Sequence, residues 1–118
     1  MEERNEALSI IKDVCEEGLA EINGRTYVIT KTNHAKRRQI FAFFSAHNAD
    51  ISASNYSFLD STEFDKIESV INNIVTFEGQ LISKIGNHWD TYPEDYLMYI
   101  MTMMGAISYP FLKGNVGN

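Results

Sequence analysis

The sequence YLMYIMTMMGAISYPFL occupies residues 96–112 and contains no charged side chain. A helix built from it carries apolar side chains on nearly every face, and such a helix must be buried on all sides, by its own fold or by a partner. One apolar stripe is enough to dock a helix on a small core. The run therefore predicts a C-terminal helix that is shared between the core and another protein.

Helical spacing divides this run into three stripes. We assign the first to the core because it keeps one unbroken helical phase, and it consists of Tyr96, Ile100, Met103 and Ile107. The candidate partner-binding residues lie on the neighbouring stripes and at the end of the run, and they are Met98, Met101, Met104, Tyr109 and Phe111. Methionine is flexible and polarizable and suits surfaces that accept ligands of several shapes.

Two other interpretations of this helix stay open. It could be an ordinary core helix, since methionine also fills cores. A membrane span is the weaker alternative, because 17 uncharged residues that include a proline fall short of the ~20 that a span needs. No lysine or arginine lies close before the run, and acidic residues do. They are Asp90, Glu94 and Asp95.

Composition predicts a single helical domain over residues 1–112 and a disordered tail over 113–118. The net charge of the 118 residues is -6, and most of it lies in the second half. An acidic chain disfavours nonspecific contact with nucleic acid phosphates. Cys15 is the one cysteine, which indicates a reducing compartment. With a charged N-terminal segment, this predicts a cytoplasmic protein.

The first half of the chain predicts a helix, a hairpin and a second helix. A helix should cover residues 2–17 with Gly18 after it. Asn23-Gly24 is a strong hairpin signal because a type I′ turn needs positive φ at both central positions. The strands should be 19–22 and 25–30. A second helix should begin near residue 32 or 33 and end near His47, followed by a loop over 48–59.

The second half predicts two more helices. Asp60 should cap a third helix whose apolar phase continues to Ile85. A capping box at Thr91 should start the fourth helix, which ends at or before Pro110. The expected fold class is mostly α, with about four helices and one short β-hairpin between helices 1 and 2.

No motif predicts an enzyme, a metal site or a cofactor. The three histidines are far apart and lack metal-ligand spacing. No phosphate-binding glycine loop or nucleophile motif occurs. We therefore expect a protein that is not an enzyme.

A basic segment surrounds the predicted start of the second helix, where the helix dipole disfavours cations. It consists of Lys31, Lys36, Arg37 and Arg38. The balancing charge could come from glutamates near the hairpin, from an acidic partner or from nucleic acid. The glutamates are Glu16, Glu17 and Glu21. A solvated or internally paired face is favoured over a binding patch.

Element order and three segments resemble the small tail assembly chaperones of long-tailed bacteriophages. The segments are the ING hairpin at 22–27, AKRRQIFAFF at 35–44 and YPEDYLMYIMTMMGAISYPFLKGN at 92–115. The resemblance implies a helical assembly factor that coats the long helical tape-measure protein and helps to recruit tail tube subunits. It also implies self-association in the cytoplasm of a bacterial host, without a membrane. In that family a longer form is often made by ribosomal frameshifting.

Two rival functions remain from the residues alone. A small nucleic-acid-binding regulator would use the basic segment 31–38, and its binding would weaken steeply with salt. A structural subunit would use the fourth helix only to associate with itself.

Overall fold

The computed structural model describes the backbone of residues 2–116 and the side chains of residues 9–113. Its helices are α1 (Glu2–Glu17), α2 (His34–Ser52), α3 (Thr62–Asn72), α4 (His88–Thr91) and α5 (Tyr96–Val116). Its strands are β1 (Leu19–Ile22), β2 (Arg25–Ile29), β3 (Val75–Phe77) and β4 (Gln80–Leu81). Short 3-10 turns cover Ser57–Asp60, Ile82–Lys84 and Pro93–Asp95. The fold is mostly α, as predicted.

The predicted first helix and hairpin are confirmed. Gly18 follows α1 with a φ of +75°, and its N–H donates to the carbonyl of Val14 at 2.8 Å. Asn23 and Gly24 have φ values of 53° and 81°, as a type I′ turn requires. The turn pairs β1 with β2 antiparallel, so that Ala20 lies opposite Tyr27.

The predicted long third helix is wrong, because α3 ends at Asn72 and a second hairpin follows it. Glu78 and Gly79 adopt φ values of 52° and 80°, which are the positive angles of another type I′ turn. β3 pairs with β2 and with β4, and the antiparallel sheet has the order β1-β2-β3-β4. The cap also differs from the prediction, since the Phe64 N–H donates to the Ser61 hydroxyl at 3.1 Å.

Helix α2 begins as predicted but extends beyond the predicted end at His47. The Asn33 side chain caps it by accepting from the Lys36 N–H at 2.9 Å. The helix continues to Ser52, and a 3-10 turn occupies Ser57–Asp60. The predicted loop over 48–59 is therefore largely ordered into helical turns.

Helix α5 does not stop before Pro110, which corrects the predicted end. Proline lacks an N–H, so the carbonyl of Ala106 loses its usual donor four residues later. Arg37 on α2 binds the next carbonyl of the same turn, since its Nη1 donates to the carbonyl of Ile107 at 2.8 Å. The helix continues to Val116, so the predicted disordered tail of 113–118 begins inside a helix. Residues 117 and 118 lie outside the described chain.

The core lies around α5, which contacts α1, α2, α3 and β1. Tyr99, Ile100 and Met103 are completely buried on this helix. A Cβ built on Gly105 would lie 2.8 Å from Cγ2 of Ile11, so the absent side chain lets α1 approach closely. Within the described chain, no helix combines the length and hydropathy needed to cross a membrane.

Candidate functional site

The stripe of α5 that we assigned to the core is buried. Ile100, Met103 and Ile107 have at most 2% of their surface exposed. Tyr96 is half-buried at the start of the helix, and its hydroxyl donates to the carboxylate of Glu68 on α3. The helical phase chosen from the sequence therefore identifies the inner face of α5.

The five candidate partner-binding residues divide into exposed, half-buried and buried positions. Met98 is 54% exposed, whereas Met101 and Tyr109 are half-buried. Met104 has 0% exposure, so its assignment to a partner surface is wrong for the folded chain. The reason is that α1 and α2 both pack against α5 and bury more than one of its stripes.

Phe111 contributes mainly to an internal contact. Its ring makes edge-to-face contacts with His34, at 5.8 Å between centroids, and with Phe41, at 5.3 Å. Both partners lie on α2, so Phe111 joins the end of α5 to that helix. It is half-buried and offers only part of its surface to another molecule.

Exposed Met98 and half-buried Met101 lie near the start of α5, and we call these two residues the Met98 face. These two residues and Gly105 have spacings of three and four, which place them on one side of the helix. Ile11 of α1 covers this side at Gly105. The next residue before it, Ile10, is 57% exposed. Thus α1 covers this side of α5 at Gly105, whereas Met98, nearer the start of α5, stays exposed.

The basic segment does not pair with the glutamates near the hairpin. Lys31 and Arg38 are exposed, and Lys36 and Arg37 are half-buried. Among the side chains of residues 9–113, no carboxylate lies within 4.0 Å of their charged nitrogens. The predicted internal pairing is therefore absent from that part of the chain, and Arg37 binds a main-chain carbonyl instead.

A buried carboxylate that the sequence did not single out joins the first hairpin to α5. Asp95 has 0% exposure at the last position before the helix. It accepts hydrogen bonds from Asn23 Nδ2 at 2.7 Å, from Arg25 Nη1 at 2.9 Å and from the Tyr27 hydroxyl at 2.7 Å. All three donors come from the hairpin, and a buried charge requires this kind of satisfaction.

Arg25 is also held from a second side. Its Nη2 lies 3.1 Å from Oε2 of Glu94, and its guanidinium carbon lies 3.9 Å from the centre of the Tyr92 ring. This places the cation between two carboxylates and an aromatic face. Two of the acidic residues before α5, Glu94 and Asp95, therefore both bind Arg25.

His88 extends this network from α4. Its Nε2 lies 2.8 Å from the Tyr27 hydroxyl oxygen. Because Tyr27 gives its only proton to Asp95, the hydrogen-bonding pattern assigns a proton to His88 Nε2, which donates to the phenol oxygen. Burial lowers the pKa of His88 below 6.5, although the negative charge of Asp95 opposes this shift. The neutral imidazole is therefore the form that the fold stabilises.

The same contacts displace the other pKa values of the network. Burial alone would raise the pKa of Asp95, but the hydrogen bonds from Tyr27, Asn23 and Arg25 outweigh it and lower this pKa below 3.8. Burial and the bond to Asp95 raise the pKa of the Tyr27 phenol. Every member is thus held in one protonation state near neutral pH, which is typical of a structural network.

No catalytic arrangement is apparent in this network. Both oxygens of Asp95 already accept hydrogen bonds, and the Tyr27 proton is committed to Asp95. A catalytic base needs a free position within reach of a substrate proton. Over residues 9–113, no group of three or more His, Cys, Asp or Glu side chains is placed to hold a metal ion.

Comparison with known proteins gives no family. No protein-family model matches the chain, and neither a curated protein nor a solved structure matches it significantly.

Proposed function

We propose that the protein is a non-enzymatic assembly chaperone that binds an apolar helical client through the Met98 face. The observation that carries the proposal is the 54% exposure of Met98 on the helix that is otherwise the centre of the core. Exposed large apolar side chains of this kind are favourable sites for a partner, because covering them removes apolar surface from water.

The chemistry of the Met98 face suits a helical client. An amphipathic helix can lay its apolar side along such a surface, and methionine adapts its shape to different side chains. Ile10 offers a second exposed apolar side chain on the helix that covers Gly105. The net charge of -6 favours repulsion between copies of the protein, which would keep a complex with an apolar client in solution.

The resemblance to phage tail assembly chaperones supplies the biological setting of the proposal. The client would be a tape-measure-like helical protein, and tail tube subunits would be further partners. The complex would form in the cytoplasm of a bacterial host. Self-association through the Met98 face is the second candidate, and the same exposed Met98 favours it.

The first experiment tests whether the Met98 face binds apolar helices. The probe is a synthetic amphipathic peptide with a leucine face, and affinity is measured by fluorescence anisotropy. Met98→Glu combined with Met101→Glu should weaken binding by at least about tenfold, because each carboxylate must lose water at an apolar contact. The control is Ala42→Glu with Ala46→Glu, which adds the same charge at exposed positions of α2.

The outcomes separate the two candidates. Loss of peptide binding in the methionine variant, with the control unchanged and both folded by circular dichroism, supports the chaperone. Self-association is supported if the wild-type protein sediments as a dimer and does not bind the peptide, while the methionine variant sediments as a monomer. If the methionine variant keeps the wild-type peptide affinity and the wild-type mass in sedimentation, the Met98 face binds neither a client nor a second copy.

A further inference from the structure

A cavity of about 310 Å³ lies where the end of α1, the end of β2, the start of α2 and the middle of α5 meet. One part of its lining is apolar or weakly polar and consists of Cys15, Ile29, Ala106 and Ile107. The other part is polar and consists of Thr30, Lys31, Thr32 and Arg37. Its volume is near the lower bound of about 300 Å³ for small-molecule sites.

Among the described residues, the charged groups that line this cavity all have one sign. Lys31 and Arg37 are cationic, and none of the described lining residues is an aspartate or a glutamate. This is unexpected in a chain with a net charge of -6, and it creates a local positive potential in an acidic protein. The basic segment, whose cations have no carboxylate partner among residues 9–113, here contributes two of its four members to one concave site.

The polar lining has unused hydrogen-bonding capacity. Arg37 uses Nη1 for the Ile107 carbonyl, and a guanidinium has five N–H donors. No other acceptor for the Arg37 guanidinium occurs among the described side chains and their backbone. The hydroxyl of Thr32 is buried and has no partner in the same part of the chain. A hydroxyl can both donate and accept, so Thr32 adds unused capacity of both kinds to the lining.

We propose that this cavity is a binding site for a small carboxylate with a compact, branched apolar body. The carboxylate would bind Arg37 and Lys31 at the polar side, since guanidinium and carboxylate form charge-assisted hydrogen bonds. The hydrocarbon part would pack against Ile29, Ala106 and Ile107. An inorganic phosphate satisfies the cations but leaves the apolar wall uncovered, so it is the poorer ligand. The site is separate from the Met98 face and does not depend on the proposed chaperone function.

The test is a titration of the full chain with isovalerate, followed by two-dimensional NMR of the backbone amides. We expect saturable shifts at millimolar ligand that are largest at Gly18, Thr32 and Ala106. Isoamyl alcohol has the same hydrocarbon body without the charge, and it should bind at least about tenfold more weakly because it cannot form the charge-assisted bonds. Inorganic phosphate at the same ionic strength should also produce weaker shifts than isovalerate.

A matched pair of variants localises the site. Lys31→Gln and Arg38→Gln each remove one positive charge from the basic segment, but only Lys31 lines the cavity. Lys31→Gln should weaken isovalerate binding by about threefold to fivefold, the range of a partly exposed ion pair, and Arg38→Gln should not change it. Three results would each overturn the proposal: equal effects of the two variants, no saturable shift with isovalerate, or phosphate binding as tightly as isovalerate.

Discussion

The start and the middle of α5 are attached to earlier parts of the chain in different ways. At the start, the buried carboxylate of Asp95 accepts bonds from three side chains of the hairpin, and a histidine completes the set. At the middle, Arg37 gives one bond to the Ile107 carbonyl, and among the described residues the hydroxyls of Thr32 and Ser108 are buried without partners. The start is closed around a charge, whereas at the middle Arg37 and Thr32 leave donors unused beside a cavity. One arginine thus serves a structural purpose at the start of the helix, and another leaves capacity for a ligand at its middle.

The largest expected effect is the loss of the Asp95 carboxylate. Asp95→Ala should lower the free energy of unfolding by about 3 kcal/mol, because a buried hydrogen-bonded acceptor is removed while its donors stay in place. Urea denaturation followed by circular dichroism measures the change. The control is Glu94→Ala, since the Glu94 side chain is 54% exposed and should contribute less than about 1 kcal/mol. Equal losses in the two variants would contradict a special role for the buried carboxylate.

Acid should weaken the attachment at the start of α5 in two steps, each smaller than the loss in Asp95→Ala. The folded chain holds His88 neutral, so the unfolded chain binds a proton that the folded chain does not, and stability falls as pH drops below about 6.5. Asp95 has a lowered pKa, so its contribution is present above about 3.8 and is lost as pH falls further.

Urea midpoints measured from pH 8 to pH 3 follow both steps. His88→Gln keeps an amide donor at the ε position and cannot titrate, so it should abolish the first step and retain the second. A first step that survives in His88→Gln would assign it to another group.

The attachment at the middle of α5 should respond less to the loss of its side chain, which is that of Arg37. Arg37→Met keeps most of the side-chain length and removes the bond to the Ile107 carbonyl, which should cost about 1 kcal/mol. Arg38→Met is the control, because Arg38 is exposed and makes no such contact. Equal destabilisation by Arg37→Met and Asp95→Ala would mean that the start and the middle of α5 are attached equally strongly.

The smallest expected effect concerns nucleic acid. The exposed cations Lys31 and Arg38 belong to an acidic chain, so binding of duplex DNA at physiological salt should be no tighter than ~10⁻⁵ M. A mobility-shift assay over a range of salt concentrations tests this value. Sub-micromolar binding that is lost in a Lys31→Gln, Arg38→Gln variant would instead support the nucleic-acid-binding regulator.

Short sequence patterns predicted the first hairpin turn and the buried face of α5 correctly. Asn23-Gly24 specifies its turn through positive φ, and the phase of Ile100, Met103 and Ile107 gives the inner face of α5. The sequence did not predict the second hairpin, because the apolar residues from Ile74 to Leu81 continue the helical period of α3. Its turn also places Glu78, rather than a residue common at positive φ, at the first central position.

The candidate sites depend on contacts that no local pattern contains. The bond between Arg25 and Asp95 joins residues that are 70 positions apart, and so does the bond from Arg37 to Ile107. In the sequence, Asp95 is therefore only one of several acidic residues before a helix. Arg37 is likewise one of four cations, and no local pattern indicates that it contacts the proline-containing turn of α5. The burial of Met104 had the same origin, because it depends on how α1 and α2 flank α5.

The position of α5 after its packing partners has a consequence for synthesis on the ribosome. α1, the first hairpin and α2 leave the ribosome before the helix against which they pack. At 5–20 residues per second, the chain from residue 52 to residue 116 takes roughly 3 to 13 s to make. During that interval the apolar sides of α1 and α2 are uncovered and can be bound by other chains. The nascent protein is thus itself a potential client of chaperones until its most apolar helix emerges.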